Sequence, residues 1–223
     1  MEQSIELTKQ MVTLINEKSG DSFFMAISGG SSPLTLFELW KGGFRNIIDW
    51  NKIKLFWVDE RVVPPDSDQS NYGVANNFLL KNIPIPNDNI YRIFGENNPD
   101  NEAKRYSSLV NSMMPQNSGF PIFDLIILGV GEDGHTASIF PGQNYLLSFS
   151  QPYAASVNPY NGQQRVTMTG GTILNSAKTF FYLNGASKKS IVESIVNSTE
   201  SEKSPASFFY INLKSPALFW DSN

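Results

Sequence analysis

The sequence predicts an α/β protein with a Rossmann-like, doubly wound fold: a mainly parallel sheet with helices on both faces, and enough chain for a small extra lobe. Short apolar runs typical of buried strands alternate with segments of helical periodicity. Three of these runs end directly in glycine or charged residues. Because ligands of such folds bind at the carboxyl ends of the strands, functional residues are expected at these three ends.

Helices are predicted where apolar residues recur three or four positions apart. The first covers 2–18, and the second begins at Pro33 and ends at the glycine pair 42–43. Further helices are predicted over 71–81, 99–114 and 187–197. The apolar positions that define them are Leu7, Met11, Leu14 and Ile15 in the first, Leu36, Phe37 and Trp40 in the second, and Ile191, Val192, Ile195 and Val196 in the last.

Strands are predicted where short apolar runs are bounded by turn residues. The clearest are 22–28, 53–58 and 123–128, each a nearly continuous apolar run of the kind that lies inside a parallel sheet. The remaining predicted strands are 90–94, 153–157, 164–169, 179–184 and a short final strand at 217–220.

The composition excludes several kinds of chemistry. The chain has 223 residues, no cysteine, one histidine and a formal net charge of -4. The length suits a single domain over 1–223. Disulfides, thiolate metal sites and cysteine nucleophiles are impossible, and one histidine cannot form a multi-histidine metal site within a chain. We therefore expect no metal, and the mild acidity disfavours nucleic acid as a partner.

Targeting signals are also missing from the sequence. It has no apolar run of about 18 residues, which a membrane-spanning helix needs. The first residues lack the basic and apolar regions of a signal peptide. We expect a cytoplasmic protein that does not bind membranes and is a monomer rather than an obligate oligomer.

The first strand ends in a glycine-rich loop at 28–33. Gly29 and Gly30 allow the backbone to approach a ligand closely. Ser32 and Pro33 suit the start of the next helix, where exposed amides, including those of Ser31 and Ser32, favour an anion such as phosphate. The loop has neither the Gly-Lys of a Walker A loop nor a G-x-G-x-x-G pattern, which disfavours a nucleotide. The alternative is an ordinary turn between strand and helix.

The second strand ends in three consecutive charged residues. Asp59, Glu60 and Arg61 follow an apolar run, and such charges are not expected to continue a buried strand. We place them at the mouth of the sheet, where Arg61 contacts an anionic substrate and Asp59 or Glu60 holds it in position. The alternative is an ordinary solvated loop.

The third strand ends in a loop that contains the single histidine. His135 has the side chain best suited to proton transfer near neutral pH, and it follows three glycines after a buried strand. Asp133 projects to the same side as His135 in an extended segment, so it either orients the imidazole or binds substrate. The alternatives are a structural histidine and a turn-forming aspartate.

Two further cationic positions complete the candidate set. Arg165 ends a stretch of the chain, 106–164, that contains no lysine or arginine, and Lys188 lies where the last predicted helix begins. A cation at a helix N-terminus opposes the helix dipole, which hints at an anionic partner. Solvated surface side chains are the alternative.

These motifs together resemble the 6-phosphogluconolactonase family over about 28–192. The segments that carry the resemblance are 28–33, 59–64, 70–72, 128–141, 165–167 and 185–188. The resemblance implies hydrolysis of the sugar-phosphate lactone 6-phospho-D-glucono-1,5-lactone in the oxidative pentose phosphate pathway, without a cofactor. It also implies a fold shared with glucosamine-6-phosphate deaminase and ribose-5-phosphate isomerase.

Given that substrate, each candidate residue has a role. Neutral His135 would take a proton from the attacking water, and its imidazolium would then protonate the ring oxygen. The amides of Gly131 and Gly134 are the candidate donors to the oxyanion. The phosphate would be held by the amides of 29–32, with Arg61, Arg165 and Lys188 as candidate cations.

Two other functions remain as alternatives. A glucosamine-6-phosphate deaminase on the same fold carries an acidic residue five positions after the histidine and an aromatic after the Asp-Glu pair, where this chain has Phe140 and Arg61. Both differences favour the lactonase. A non-catalytic sugar-phosphate sensor would need no general base, so His135 beside Asp133 argues against it.

Overall fold

The computed structural model describes residues 1–30, 32–198 and 204–222. Its helices are α1 (Glu2–Glu17), α2 (Pro33–Lys41), α3 (Asn71–Phe78), α4 (Pro99–Met113), α5 (Gly170–Leu174), α6 (Lys189–Val196) and α7 (Pro205–Asn212). Its strands are β1 (Phe23–Ile27), β2 (Ile53–Trp57), β3 (Asp59–Arg61), β4 (Gln116–Asn117), β5 (Phe120–Pro121), β6 (Leu125–Leu128), β7 (Tyr153–Val157), β8 (Gln164–Met168), β9 (Thr179–Asn184) and β10 (Pro216–Asp221). Among the described residues, no helix has the length and apolar character required to cross a membrane.

The central sheet has five parallel strands in the order β10-β9-β6-β1-β2 and is flanked by helices. The chain passes from β1 to β2 on one side and later returns to β6 on the other, so the direction of winding reverses between β1 and β6. Their carboxyl ends lie next to each other at this switch point, which is the ordinary ligand position in such folds. The predicted α/β class and parallel sheet are confirmed.

The central strands form because their side chains can be buried on both faces. All four residues of β6 are buried, as are four of the five in β1. Helix α1 covers the sheet with an apolar stripe that includes Leu7 and Met11, both fully buried. The indole N–H of Trp40 in α2 donates to Thr8 Oγ1 at 3.0 Å and fixes α2 against α1.

A second sheet, β3-β8-β7, is antiparallel and lies beside the carboxyl end of the first. Val58 joins the two sheets, because its N–H donates to Ile27 O of β1 while its carbonyl accepts from the N–H of Met168 in β8. The small extra lobe that the length allowed is thus a three-stranded sheet that is anchored at the end of β1.

Most predicted elements are confirmed to within one to four residues, but the strand at 90–94 is wrong. Only Ile90 forms a bridge there, to Leu55 of β2. The N–H of Phe94 donates instead to the carboxylate of Glu102 in α4 at 2.7 Å, which removes it from any strand pairing. Helix α3 also ends at Phe78, earlier than predicted, and is followed by a 3-10 turn at Leu80–Asn82.

Several short elements are not predicted by the sequence. They are the hairpin of β4 and β5, the one-turn helix α5 and the helix α7. The expectation that the charges of Asp59, Glu60 and Arg61 do not belong to a buried strand is also wrong, because these residues form strand β3 at the mouth of the central sheet. Asp59 and Glu60 are buried, and the second sheet supplies the partners that make their burial possible.

Candidate active site

A cavity of about 170 Å³ lies at the switch point between β1 and β6. Its walls come from the loop after β1, the loop after β6 and the facing strands β3 and β8. The lining residues are Ser28, Gly29, Gly30, Ser32, Asp59, Arg61, Gly129, Val130, Gly131, His135, Ala137 and Arg165. Most of the residues that were predicted at three separate strand ends therefore meet in one cavity.

The loop after β1, where the sequence predicts anion binding, forms one wall of the cavity. Gly29, Gly30 and Ser32 line the cavity, while Ser31 lies outside the described residues. Pro33 occupies the first turn of α2, and Ser32 stands at the N-cap position without a capping side-chain hydrogen bond. A Cβ on Gly29 would lie 1.9 Å from Asn71 Oδ1, so only glycine lets this loop lie against α3.

His135 and Asp133 form a hydrogen-bonded pair in the loop after β6. His135 Nδ1 lies 2.5 Å from Asp133 Oδ1, and the same oxygen accepts the backbone N–H of His135 at 3.1 Å. Because an ionised carboxylate only accepts hydrogen bonds, Nδ1 carries the proton and Nε2 is the basic nitrogen. Of the two roles left open for Asp133, the contact fits the one that orients the imidazole.

The pKa of Asp133 reflects this contact. Partial burial by itself raises the pKa of this carboxyl, but the nearby imidazole and the hydrogen bonds from His135 outweigh burial, and the net pKa lies below its ordinary value. Asp133 is therefore ionised at neutral pH, as a partner of the imidazole must be.

The two glycines predicted as oxyanion donors already form hydrogen bonds within this loop. The N–H of Gly131 donates to His135 O at 2.9 Å, and that of Gly134 donates to Gly131 O at 3.0 Å. Both amides are thus engaged, which argues against the predicted role. Gly131 also permits close packing, since a Cβ there would lie 2.2 Å from the His135 ring. The absence of a side chain lets the imidazole pack over the loop.

Two arginines line the opposite wall. Arg61 and Arg165 are paired across β3 and β8, and both line the cavity. Arg61 Nη1 donates to Gln69 O at 2.7 Å, and Arg165 Nη1 lies 3.7 Å from Asp59 Oδ2. The Nε atoms of both arginines are buried without a hydrogen-bond partner in the described part of the chain.

The electrostatics of this wall favour an anion. The pKa of Arg165 lies below its ordinary value, mainly because the side chain is buried. The carboxylate of Asp59 raises this pKa, whereas the positive charge of the neighbouring Arg61 lowers it further. The buried Arg165 guanidinium and the partly exposed Arg61 repel each other, so an anionic ligand between them would relieve this repulsion. Of the two acidic residues predicted to hold Arg61, Asp59 instead faces Arg165.

Glu60 holds the backbone rather than the guanidinium. Its buried carboxylate accepts the N–H groups of Arg61, Asn71 and Tyr72 at 2.7–2.8 Å, and the hydroxyl of Ser70 at 3.0 Å. Burial raises the pKa of Glu60, although these N–H donors oppose the shift. The carboxylate thus joins β3 to the N-terminus of α3 and sets the position of Arg61.

Lys188 reaches the rim of the cavity. It ends a 3-10 turn, Ala186–Lys188, and α6 begins one residue later, close to the prediction. Its Nζ donates to Val130 O at 3.1 Å, and Val130 lines the cavity. An ammonium group has three donors, so this bond leaves others for an anion.

The sequence does not identify the residues that support the site from other elements. Ser138 Oγ donates to Asp59 Oδ2 at 2.6 Å, and Asn71 Nδ2 donates to Asp59 O at 2.8 Å. The buried ring of Phe140 lies 4.6 Å from the imidazole of His135. Asp59 is 79 positions from Ser138 and 12 from Asn71, so no local pattern points to these two contacts.

Comparison with known proteins finds similar sequences over most of this chain. Residues 2–220 match the model of a family described as glucosamine-6-phosphate isomerases/6-phosphogluconolactonase. The 6-phosphogluconolactonase of Treponema pallidum is 37% identical over 180 residues, covering 81% of this chain and 75% of that protein. The 6-phosphogluconolactonase of Haemophilus influenzae is 36% identical over 199 residues, covering 88% of this chain and 82% of that protein.

The fold is likewise similar to that of a solved structure. The crystal structure of a devB protein superimposes with a TM-score of 0.90 at 35% sequence identity, covering 99% of this chain and 92% of that one. The architecture and the arrangement of the strand ends are therefore shared across nearly the whole chain.

Proposed function

Because this chain belongs to the glucosamine-6-phosphate isomerase/6-phosphogluconolactonase family, we propose that it hydrolyses 6-phospho-D-glucono-1,5-lactone to 6-phospho-D-gluconate in the oxidative pentose phosphate pathway. The observation that carries this proposal is the His135–Asp133 pair, which faces two arginines across one cavity. The pair supplies a base for water, and the arginines supply positive charge for a phosphorylated ester.

The proton transfers centre on His135 Nε2. Asp133 holds the proton on Nδ1, which leaves Nε2 to take a proton from water as the water oxygen attacks the lactone carbonyl. The resulting imidazolium is stabilised by the Asp133 carboxylate. It then gives the proton to the ring oxygen when the C–O bond breaks, which regenerates neutral His135 and releases the open-chain acid.

Two negative charges must be stabilised, the phosphate and the oxyanion that develops on the carbonyl. The phosphate lies at the N-terminus of α2 beside Gly29 and Gly30, where helix amides favour an anion. Because the amides of Gly131 and Gly134 are engaged, the oxyanion is stabilised by a guanidinium group. Arg61 and Arg165 provide one cation for each charge, and Lys188 adds a third at the rim.

Phe140 favours lactone hydrolysis over the deaminase reaction of the same family. The deaminase pattern places an acidic residue at this position. Here the position holds a buried phenyl ring 4.6 Å from His135, which cannot exchange a proton. His135 therefore exchanges protons only with water and the lactone.

The test is an assay of lactone hydrolysis with the spontaneous opening of the lactone subtracted. We expect His135→Ala to lower the enzymatic rate by about 10²-fold or more while the product, 6-phosphogluconate, still binds. If His135→Ala hydrolysed the lactone at the wild-type rate, His135 could not be the general base. Ammonia release from glucosamine 6-phosphate would instead support the deaminase, and binding without any turnover would support a sensor.

Two further predictions accompany this proposal. We expect the protein to act as a monomer in the cytoplasm on a small sugar phosphate, without a cofactor. Light scattering coupled to size-exclusion chromatography checks the monomer, and full activity after dialysis against a chelator checks the independence from metal ions. A dimer at enzyme concentrations used in the assay would contradict the first expectation.

A further inference from the structure

Tyr160 is an exposed aromatic residue beside the catalytic pair, and the mechanism above does not use it. It lies in the turn between β7 and β8, and 68% of its surface is exposed. Its ring centroid lies 6.2 Å from that of Phe140 at nearly a right angle. Since Phe140 packs against His135, the turn places a phenol at the entrance of the site.

The turn is built to hold this side chain in place. The Asn158 side chain accepts the N–H of Tyr160 at 2.9 Å, and the Asn161 side chain accepts the N–H of Gln163 at 3.0 Å. Backbone hydrogen bonds from Gly162 to Asn158 and from Asn158 to Gln163, each 2.9 Å, close the turn. A turn with this many internal hydrogen bonds presents its residues in a defined position.

The carboxylate of Asp133 lacks one partner that the phenol can supply. Oδ1 already accepts two hydrogen bonds from His135. Oδ2 is buried and has no hydrogen bond of ordinary geometry among the described residues. The Tyr160 hydroxyl lies close enough to interact with this carboxylate, which lowers the pKa of Asp133 and raises that of Tyr160.

We propose that Tyr160 is a positioning residue that donates its hydroxyl to Asp133 and thereby fixes the Asp133–His135 pair. Oδ2, the oxygen without a partner among the described residues, is the acceptor. With both oxygens bonded, the carboxylate cannot rotate, and Oδ1 stays on His135 Nδ1. The phenol thus helps to keep the basic nitrogen, Nε2, free for water. This inference rests on the proposed function.

The experiment uses the fact that the chain contains a single histidine. In protein labelled with ¹⁵N on histidine, the NMR chemical shifts of the two ring nitrogens report the tautomer. They belong to His135, because the chain has no other histidine. At a pH where the imidazole is neutral, we expect Tyr160→Phe to raise the ratio of the Nε2–H to the Nδ1–H tautomer by about threefold. The same variant should lower kcat by about threefold and leave KM unchanged.

Two comparisons separate positioning from other roles. Tyr145→Phe removes a hydroxyl from another exposed tyrosine that does not line the cavity, and it should change neither quantity. In an Asp133→Asn background, Tyr160→Phe should have no further effect on kcat, because the phenol acts through Asp133.

The outcomes decide between the alternatives. Unchanged histidine shifts in Tyr160→Phe, or an equal loss of kcat with and without Asp133, would overturn the proposal. If the wild-type protein does not hydrolyse the lactone, the proposed function fails, but the tautomer measurement still tests the contact between Tyr160 and the catalytic pair.

Discussion

Arg61 and Arg165 are directly opposite each other on the antiparallel strands β3 and β8, and both line the cavity that contains His135. Placing two like charges opposite each other in a sheet is unfavourable. Asp59, 3.7 Å from Arg165, and the more weakly interacting Glu60 compensate in part. The arrangement is understandable if the wall exists to bind a doubly charged phosphate and a developing oxyanion.

Removal of Arg165 should weaken the binding of the phosphorylated substrate. We expect Arg165→Ala to raise KM for the lactone by about tenfold or more, since a charge-assisted hydrogen bond to phosphate is lost. The same measurement with unphosphorylated 1,5-gluconolactone separates phosphate binding from catalysis. Arg45→Ala, at an arginine outside the cavity, is the matched control. An equal loss on both lactones would assign Arg165 to the oxyanion instead.

Asp133 should matter for kcat rather than for binding. In Asp133→Asn the negative charge beside Nδ1 is lost, so the imidazolium formed during the reaction is no longer stabilised. We expect kcat to fall about tenfold or more with little change in KM. Glu132→Gln, which neutralises the adjacent exposed carboxylate, should retain activity. A large rise of KM in Asp133→Asn would show instead that this carboxylate binds substrate.

Gly131 tests how closely the imidazole must pack on its loop. A methyl group at this position would overlap the His135 ring, which lies 2.2 Å from the ideal Cβ position. We expect Gly131→Ala to displace the ring and to lower kcat by about tenfold or more, while the protein remains folded by circular dichroism. Gly43→Ala meets no atom within 4 Å and serves as the control. Full activity in Gly131→Ala would mean that the ring position in the structure is not the working one.

Asp221 should make a pH-dependent contribution to stability. It lies at the end of β10, and its carboxylate accepts the N–H groups of Gln3 and Ser4 at 2.9 Å, at the N-terminus of α1. Burial by itself would raise the pKa of Asp221, but the Met1 ammonium and the donors of Gln3 and Ser4 lower it below the ordinary value. Because the folded pKa is lowered, the stabilisation is present above the unfolded pKa and is lost as the pH falls through the folded one.

Urea denaturation of Asp221→Asn measures this contribution. At pH 7 we expect the free energy of unfolding to fall by about 1–3 kcal/mol, since the amide would place a donor against backbone donors. The difference from wild type should shrink as the pH falls below 3.8, the ordinary pKa of an aspartate, because the carboxyl is then protonated first in the unfolded wild type and, at lower pH, in the folded protein. Asp88→Asn, at an exposed carboxylate, is the control. A difference that does not vary with pH would contradict the role of the charge.

Local patterns in the sequence predict the parts of the fold that are regular over a whole element. The apolar runs of β1, β2 and β6 and the stripe of α1 are visible because burial imposes one residue type at regular positions. The strand predicted at 90–94 does not form, because the N–H of Phe94 donates to the carboxylate of Glu102 instead of to a neighbouring strand. Strand β3 is missed because its buried charges depend on partners outside the strand, such as Ser138 for Asp59 and the N-terminus of α3 for Glu60.

The amino-acid sequence alone determines the parallel α/β fold and the strand ends that carry the candidate site residues. It also determines that a single imidazole is available as a base. These features are visible in the sequence because tight turns favour glycine and buried strands favour apolar residues at adjacent positions. Only the three-dimensional structure shows that Asp133 contacts the histidine through Nδ1, that Gly131 packs against its ring, and that Arg61 and Arg165 share one wall. The first two contacts depend on the conformation of the loop after β6, which its own backbone hydrogen bonds set. The third depends on the pairing of β3 with β8, two strands that are far apart in sequence.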